Sequence, residues 1–404
     1  MRPPIRLTVA DDLRRGHGSV FFRAWLALPL LLWLAIWTVA AIYVAFAAWV
    51  TTLMLGRTPE MPHHFLARYV RYATHVYAYF NLAAEPLPRF DGKPGYPIDV
   101  EIDPPADQNR WSVGFRLILA IPAALLTVVL VGLGASAFSA AAPSSSISLL
   151  AVAAILGWFV AVARGRMPRG LRDLALYSLS CGAQFWAYLL LLTDRYPSID
   201  PLTAIGPLPV RADPLRVEVT DLPRRSRVTV FFRLPLAVPH FVWLALWGIL
   251  ALLAAVLNWL WTLITGTPAR GLRRFLLAYM RYQLHVNAFA YLIANPFPGF
   301  TGAAGSYPIE LHATERERQN RWSVLARAPL ALPALLIASA YGSLLLVVAI
   351  LGWFAALATG SMPLGFRNAG ALALRYSAQT WGYLIAVTGA YPYSGPCLES
   401  PPAG

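Results

Sequence analysis

Long apolar stretches alternate with polar, aromatic-rich segments along the whole chain. Ala24 to Leu55, Leu117 to Ala163 and Pro329 to Ala358 contain no charged residue, and Leu234 to Thr265 carries Asn258 as its main polar interruption. Apolar runs of roughly 20 residues are long enough to cross a bilayer as helices. Each stretch opens on an Arg followed six residues later by a Pro: Arg23/Pro29, Arg116/Pro122, Arg233/Pro239 and Arg327/Pro333. Proline lacks an amide donor, so it is expected to start or kink the helix, and its fixed spacing from Arg reads as architecture. Each stretch closes on a Gly with a Pro shortly after, at Gly56, Gly165, Gly266 and Gly360. Aromatic-rich segments follow over 65–83, 171–193, 272–294 and 366–388, and they read as helices. Short alternating segments precede the stretches, at Ile5-Leu7-Val9, Ile98-Val100-Ile102, Leu215-Val217-Val219 and Ile309-Leu311; period-two alternation predicts strands.

This order of parts makes the chain a fourfold internal repeat, with units 1–95, 96–200, 201–306 and 307–404. "VFFR" at 20–23 returns at 230–233, "NRWSV" at 109–113 returns at 320–324, and "LGWF" at 156–159 returns at 351–354. A two-unit block is therefore duplicated. A helix of 32 residues would be about 48 Å long against a hydrocarbon core of about 30 Å, so each stretch is expected to fold as a hairpin of two short helices. Gly132 to Ser146, with Pro143, marks the turn in the second unit. The expected hairpin turns lack Arg, whereas all other connections carry it. By the positive-inside rule this predicts eight spans, or up to twelve if the aromatic helices also cross, with both termini cytoplasmic. The fold class expected is a mainly α membrane protein in which each unit has a strand, an apolar hairpin and an interfacial aromatic helix.

Composition sharpens this picture. Apolar residues make up 58% and charged residues 13% of the 404-residue chain, which excludes an ordinary soluble domain. The net charge is +14, with Lys93 the only lysine. The arginines are spread over every polar segment and accompany no nucleic-acid motif, so the excess points to membrane topology rather than to nucleic acid. Cys181 and Cys397 have neither CxxC nor metal-ligand spacing and read as a packed thiol and a tail thiol. No cleavable signal peptide is evident, so the first stretch is expected to stay as an anchor.

Candidate chemistry is sparse. An i, i+4, i+8 row recurs on one face of the aromatic helix as Arg71/His75/Tyr79, Arg281/His285/Phe289 and Arg375/Gln379/Tyr383, with Ser180/Gln184/Tyr188 in the second unit. Arg beside Tyr at a membrane edge suits anionic headgroups, so Arg71, His75, Tyr79, Arg281, His285, Arg375, Gln379 and Tyr383 are expected to face lipid or an anion. The leading arginines read as membrane-edge anchors, or alternatively as ion pairs that lock units together. Asp99, Glu101, Asp103 and Asp107 read as solvated loop charge. No nucleophile, metal or phosphate-loop motif appears, so no catalytic residue, metal or cofactor is expected.

The motifs "RLPLAVPHFVW" at 233–243, "WLWTLITGTP" at 259–268 and "LLTDRYP" at 191–197 resemble those of an uncharacterised bacterial integral-membrane family, a domain of unknown function present here in tandem copies. The first and fourth units depart from the pattern at "RAWLALPLLLW" and "VTGAYP". The resemblance implies a cell-membrane location and no particular activity. The function expected is a non-enzymatic membrane scaffold or interaction protein with a basic cytoplasmic face, whose partners are membrane lipids and an unspecified protein. A transporter or channel between repeats is the alternative, and a lipid-acting enzyme comes third.

Overall fold

The computed structural model describes residues 5–132, 147–204, 213–221 and 224–398. It is mainly helical and divides into two compact units, Met1–Ile199 with Thr203–Pro207, and Asp200–Leu202 with Leu208–Gly404. The first contains β1 (Ile5–Val9), α1 (His17–Phe21), α2 (Arg23–Leu55), α3 (Glu60–Phe80), β2 (Ile98–Ile102), α4 (Arg110–Gly114), α5 (Arg116–Val131), α6 (Leu149–Arg164) and α7 (Arg169–Leu189). The short helix α8 (Pro201–Ala204) follows. The second contains β3 (Leu215–Val219), α9 (Arg227–Phe231), α10 (Arg233–Thr265), α11 (Arg270–Ala290), β4 (Ile309–Ala313), α12 (Arg321–Leu325), α13 (Arg327–Thr359) and α14 (Leu364–Leu384).

The expected strands form where alternation placed them. β1 pairs antiparallel with β2, from Ile5 opposite Ile102 to Val9 opposite Ile98, and β3 pairs with β4 in the same way. Ile98 and Val100 point inward while Arg6 and Glu101 point out, as a half-buried sheet requires.

The apolar stretches are not hairpins. Over 23–55, 233–265 and 327–359 the chain forms single 33-residue helices, each long and apolar enough to cross a membrane. Thr38, Gly248 and Gly342-Ser343, near the middle of these stretches where a hairpin would have to turn, lie inside these helices. One glycine costs a helix about 1 kcal/mol, too little to stop a cooperative run of apolar residues. Only the second stretch is divided, and there too the halves meet end to end. The Val131 carbonyl at the end of α5 accepts the hydroxyl of Ser148, which caps α6, at 3.1 Å. α5 lies on the C-terminal part of α7, where Ala120, Ala123 and Ala124 meet Phe185 and Tyr188. α6 lies on its N-terminal part, where Leu150 joins Ala175, Leu176 and Leu179. The sequence read as a turn, 132–146, falls almost wholly outside the described residues.

The prolines do not start these helices. Pro29, Pro122, Pro239 and Pro333 each lie inside a continuous helix, as the seventh residue of α2, α5, α10 and α13. The helices begin at the leading arginines instead, because the chain breaks for one residue just before them. Each proline removes one amide and leaves the carbonyl four residues earlier without its helical donor, at a cost of about 3 kcal/mol. The helix runs on through it because the residues on both sides are packed apolar ones. Six residues carry a helix about 240° past a whole turn, so a proline at this spacing faces away from the buried arginine. Pro29 and Pro239 are accordingly exposed, and Pro122 and Pro333 half-buried. The fixed Arg-to-Pro spacing keeps the ring off the packed face.

The terminating glycines behave as the sequence implies. Gly56, Gly165, Gly266 and Gly360 adopt φ of +79°, +64°, +76° and +74°, and each amide closes back on a carbonyl of the last turn. Their own carbonyls then tie distant segments together: Gly56 accepts from the Gln108 amide at 2.8 Å, and Gly165 accepts from Arg15 at 2.9 Å. In the second unit Gly266 accepts from Gln319 at 2.7 Å and Gly360 from Arg225 at 2.8 Å.

Each compact unit is layered. In the first, α2 and the α5–α6 pair form one layer, α3 and α7 a middle one, and the β1–β2 sheet covers α3 and α7. α2 presents Ala27, Leu30, Leu34, Ala41, Ala48 and Thr52 to the interior and leaves its other face exposed, with Trp25, Leu32, Ile36, Tyr43 and Phe46 among the residues outside. That 3-4-7 spacing with small residues is a helix-packing seam. The aromatic helices expected at the membrane interface are thus interior elements, and α7 buries most of its length.

One loop closure tests this packing. Gly302 sits at φ +58° beneath α11, and a Cβ there would overlap the Ala278 carbonyl oxygen. Gly302→Ala is expected to destabilise the protein by more than about 1 kcal/mol, whereas Gly299→Ala, at an open position, should leave the melting temperature in detergent unchanged.

Candidate functional site

The leading arginines are neither exposed nor at an edge; each is buried to 3% exposure or less. The one-residue breaks at Phe22, Phe115, Phe232 and Ala326 start the long helices at these arginines. Each guanidinium stacks 4.4–4.5 Å from an aromatic ring near the end of the aromatic helix further along its repeat: Arg23 on Tyr79, Arg116 on Tyr188, Arg233 on Phe289 and Arg327 on Tyr383. Arg23 donates to the carbonyls of Tyr79 at 2.6 Å and Ala84 at 3.0 Å and to the Glu85 carboxylate at 2.6 Å. Arg116 donates to the carbonyls of Tyr188 and Thr193, to Gln108 and to Asp194 at 2.7 Å. Arg233 and Arg327 have no carboxylate partner among the described residues. Arg233 uses the carbonyls of Ala294 and Asn295, and Arg327 those of Tyr383 and Thr388 together with Gln319. These arginines therefore do not lock one repeat to another: each closes its own repeat, through carbonyls in all four and with a carboxylate at Arg23 and Arg116.

The rows expected to face lipid face inward. His75 and His285 are 2% and 1% exposed, and Tyr79, Arg375, Gln379 and Tyr383 are also buried. Tyr79 and Tyr383 serve the leading arginines, while Arg71 and His75 address the sheet. Asp99, read from sequence as solvated charge, lies in β2 between His75 at 3.0 Å and Arg71 at 3.2 Å, and also accepts the Gly95 amide at 2.9 Å. Tyr96 packs on the His75 ring at 4.7 Å. Burial pushes the Asp99 carboxyl up, but hydrogen bonds from His75 and from the Gly95 and Val100 amides outweigh it and hold it below the usual carboxylate range. The same arrangement recurs as Arg281, Glu310, His285 and Tyr307. Here Arg281 meets Glu310 at 2.5 Å, Gly305 donates to the same carboxylate, and His285 stands off at 3.9 Å. Arg375 and Gln379 instead bind the Leu215 carbonyl, the tail carbonyls of Tyr393 and Gly395, and Asp213.

Sequence reasoning missed the residues just past each aromatic helix. Leu82, Leu191, Leu292 and Ala386 adopt φ of +61° to +63° without being glycine. Their carbonyls receive Arg15, Thr58 with Gln108, Arg225, and Asn258 with Gln319. The Arg or Gln that recurs eight residues before each leading arginine, at Arg15, Gln108, Arg225 and Gln319, was the available signal.

An arginine-rich cavity lies in the second unit. It has a volume of about 550 Å³ and is lined by Arg270, Arg273, Arg274, Arg281, Leu277, Glu315 and Arg316. Burial, and then the neighbouring Arg316 charge, lower the Arg273 pKa from its ordinary value. Three of these arginines occupy the first turns of α11, where the helix dipole disfavours cations and favours an anion. In the first unit the positions matching Arg270, Arg273 and Arg274 are Glu60, His63 and His64.

The family described as "Domain of unknown function (DUF4389)" matches three segments, 17–91, 227–301 and 321–394. The chain belongs to this family. Its three DUF4389 copies each take in a leading arginine, the long helix and the aromatic helix that receives it. No curated protein and no solved structure matches the chain.

His285 gives a pH prediction. Burial first, and then the Arg281 charge, lower its pKa from 6.5 to about 4. Between those values the unfolded chain holds a proton that the folded one does not, so stability rises with pH there. The contribution is complete above about pH 6.5 and is lost as pH falls towards 4, by up to about 3 kcal/mol. Thermal unfolding at pH 7 and pH 4.5 should show this drop, and His285→Gln should flatten it.

Proposed function

We propose that this protein is a non-enzymatic membrane scaffold or interaction protein whose arginine pocket in the second unit seats an anionic headgroup. The observation carrying this reading is the concentration of Arg270, Arg273, Arg274 and Arg316 around one open cavity with Glu315 as the acidic residue in its lining. Arg281 is already engaged by Glu310, and Arg316 by the Pro268 carbonyl, so Arg270 and Arg274 supply the outward charge. An incoming phosphate would relieve the mutual repulsion of these groups and receive charge-assisted bonds from planar guanidinium forks. The three long apolar helices support a cell-membrane setting.

On this reading residues 96–200 are a fourth copy of the repeat, diverged by the insertion between α5 and α6. Arg116 stacked on Tyr188 supports that assignment, because it repeats the geometry of Arg23 on Tyr79. Both termini lie on the cytoplasmic side, together with the basic face.

Each arginine near an anionic surface contributes about 1 kcal/mol. Arg270→Ala with Arg274→Ala is therefore expected to weaken binding of phosphatidylglycerol by roughly 10–30-fold relative to phosphatidylcholine. Lipid co-purifying with full-length protein, quantified by mass spectrometry over a salt series, measures this. Equal enrichment in wild type and the double variant would rule the pocket out.

A further inference from the structure

We infer that the long apolar helices lie in the plane of the membrane, embedded in one leaflet, instead of crossing it. The partner surface is the hydrocarbon of a single leaflet, which meets the exposed faces of α2, α5 and α6. This rests on the reading of the protein as membrane-resident and changes how it sits there.

Height along α2 separates the two orientations. A 33-residue helix is about 50 Å long. If it crossed a bilayer, everything packed beside its middle would lie in hydrocarbon. In the first unit, polar structure runs beside it from end to end. The β2 strand leads through 103–107 to Gln108, whose amide binds the Gly56 carbonyl at the C-terminal end of α2. The β1 strand leads through 10–14 to Arg15, which binds the Leu82 and Ala83 carbonyls close to the site where Arg23, at the other end, binds Ala84. The sheet therefore sits between the two ends. It is centred on Val100, whose carbonyl accepts Arg71 near the midpoint of α3. Its outer face carries Arg6 and Glu101, with side chains 39% and 58% exposed.

The loop over 89–93 gives a second, independent marker. The Trp33 indole donates to the Phe90 carbonyl at 3.0 Å, and a Cβ on Gly92 would touch Arg68 and Trp37. Trp33 and Trp37 lie about 15–20 Å into α2 from its start. Asp91 and Lys93, with side chains 40% and 61% exposed, flank that point. In a spanning orientation these charges would stand within about 10 Å of the bilayer centre, inside the hydrocarbon core, where exposed charge and open sheet edges are not tolerated. The second unit repeats the marker, with the Trp243 indole bonded to the Phe300 carbonyl at 3.0 Å and the exposed His312 on β4.

An in-plane orientation removes the conflict. One side of the layered unit then presents Leu32, Ile36, Val39, Tyr43 and Phe46 of α2 to acyl chains. The sheet and the charged loops face water on the other side, and α3 and α7 separate the two. A single layer of helices roughly 10 Å thick matches the depth to which in-plane apolar faces enter a leaflet.

Depth measurement decides between the orientations. Nitroxide labels are placed singly at positions 25, 32, 39, 46 and 53 of full-length protein in which Cys181 and Cys397 are Ser. The protein is reconstituted in phosphatidylcholine–phosphatidylglycerol vesicles, and label depth is read from oxygen against nickel-chelate accessibility. The in-plane orientation predicts similar depths at 25, 32, 39 and 46, each within about 10 Å of the phosphates. A profile rising to the bilayer centre at residue 39 and shallow at both ends would overturn it while leaving membrane residence intact. Labels accessible to the chelate throughout would overturn membrane residence itself. A label at Glu101→Cys checks the fold from the other side: it should be fully exposed to the chelate, and burial of that label in lipid would also overturn the proposal.

Discussion

A guanidinium removed from water must have its N–H groups answered, and at Arg23, Arg116, Arg233 and Arg327 the answer comes from the far end of the aromatic helix in the same repeat. The ring beneath each arginine and the carbonyls beside it lie about sixty to eighty residues further along the chain. These contacts close each long helix and its return helix into one loop of chain. Everything else hangs on that closure. It fixes the exit of the return helix, turns Leu82, Leu191, Leu292 and Ala386 into left-handed conformations, and presents their carbonyls to the segment that precedes a long helix. A carboxylate strengthens the closure in the first unit through Glu85 and Asp194, whereas the second relies on neutral carbonyls and amides.

Much of this architecture was legible in the sequence, because glycine and alternation have local meanings. The strands, the glycines that end the apolar stretches and the helical character of those stretches follow from neighbours in sequence. Pro29 and its three counterparts misled, because a proline past the first turn stops a helix only where packing does not carry the chain through it. The hairpin expectation failed for a physical reason: it took bilayer thickness as the limit on helix length, and nothing in an apolar run forces a helix to end at about 30 Å. The row of Arg71, His75 and Tyr79 looked like a lipid-facing edge because its partners are not local. Asp99 lies on a strand 24 residues after His75, and a carboxylate in an exposed-looking acidic segment gives no sign that it will be buried.

The two compact units share a backbone plan yet differ in charge placement. Around the start of α3 the first unit has Glu60, His63 and His64, whereas the start of α11 gathers Arg270, Arg273 and Arg274. The leading arginines and the terminating glycines recur in both units, while the residues on this open rim do not. A duplicated fold keeps its internal closure while the charges on its rim diverge.

The exchange of bonds between Gly56 and Gln108, and between Arg15 and Gly165, has a consequence for synthesis. When residues 1–95 leave the ribosome, β1 has no strand to pair with, Gly56 has no amide to receive and the apolar face of α3 has no α7 to cover it. All three wants are met only by the next hundred residues. A nascent chain paused after residue 95 exposes an unpaired strand edge and an apolar helix face together, the two features that make incomplete chains prone to aggregation and dependent on chaperones. Any pause between residues 96 and 190 prolongs that exposure.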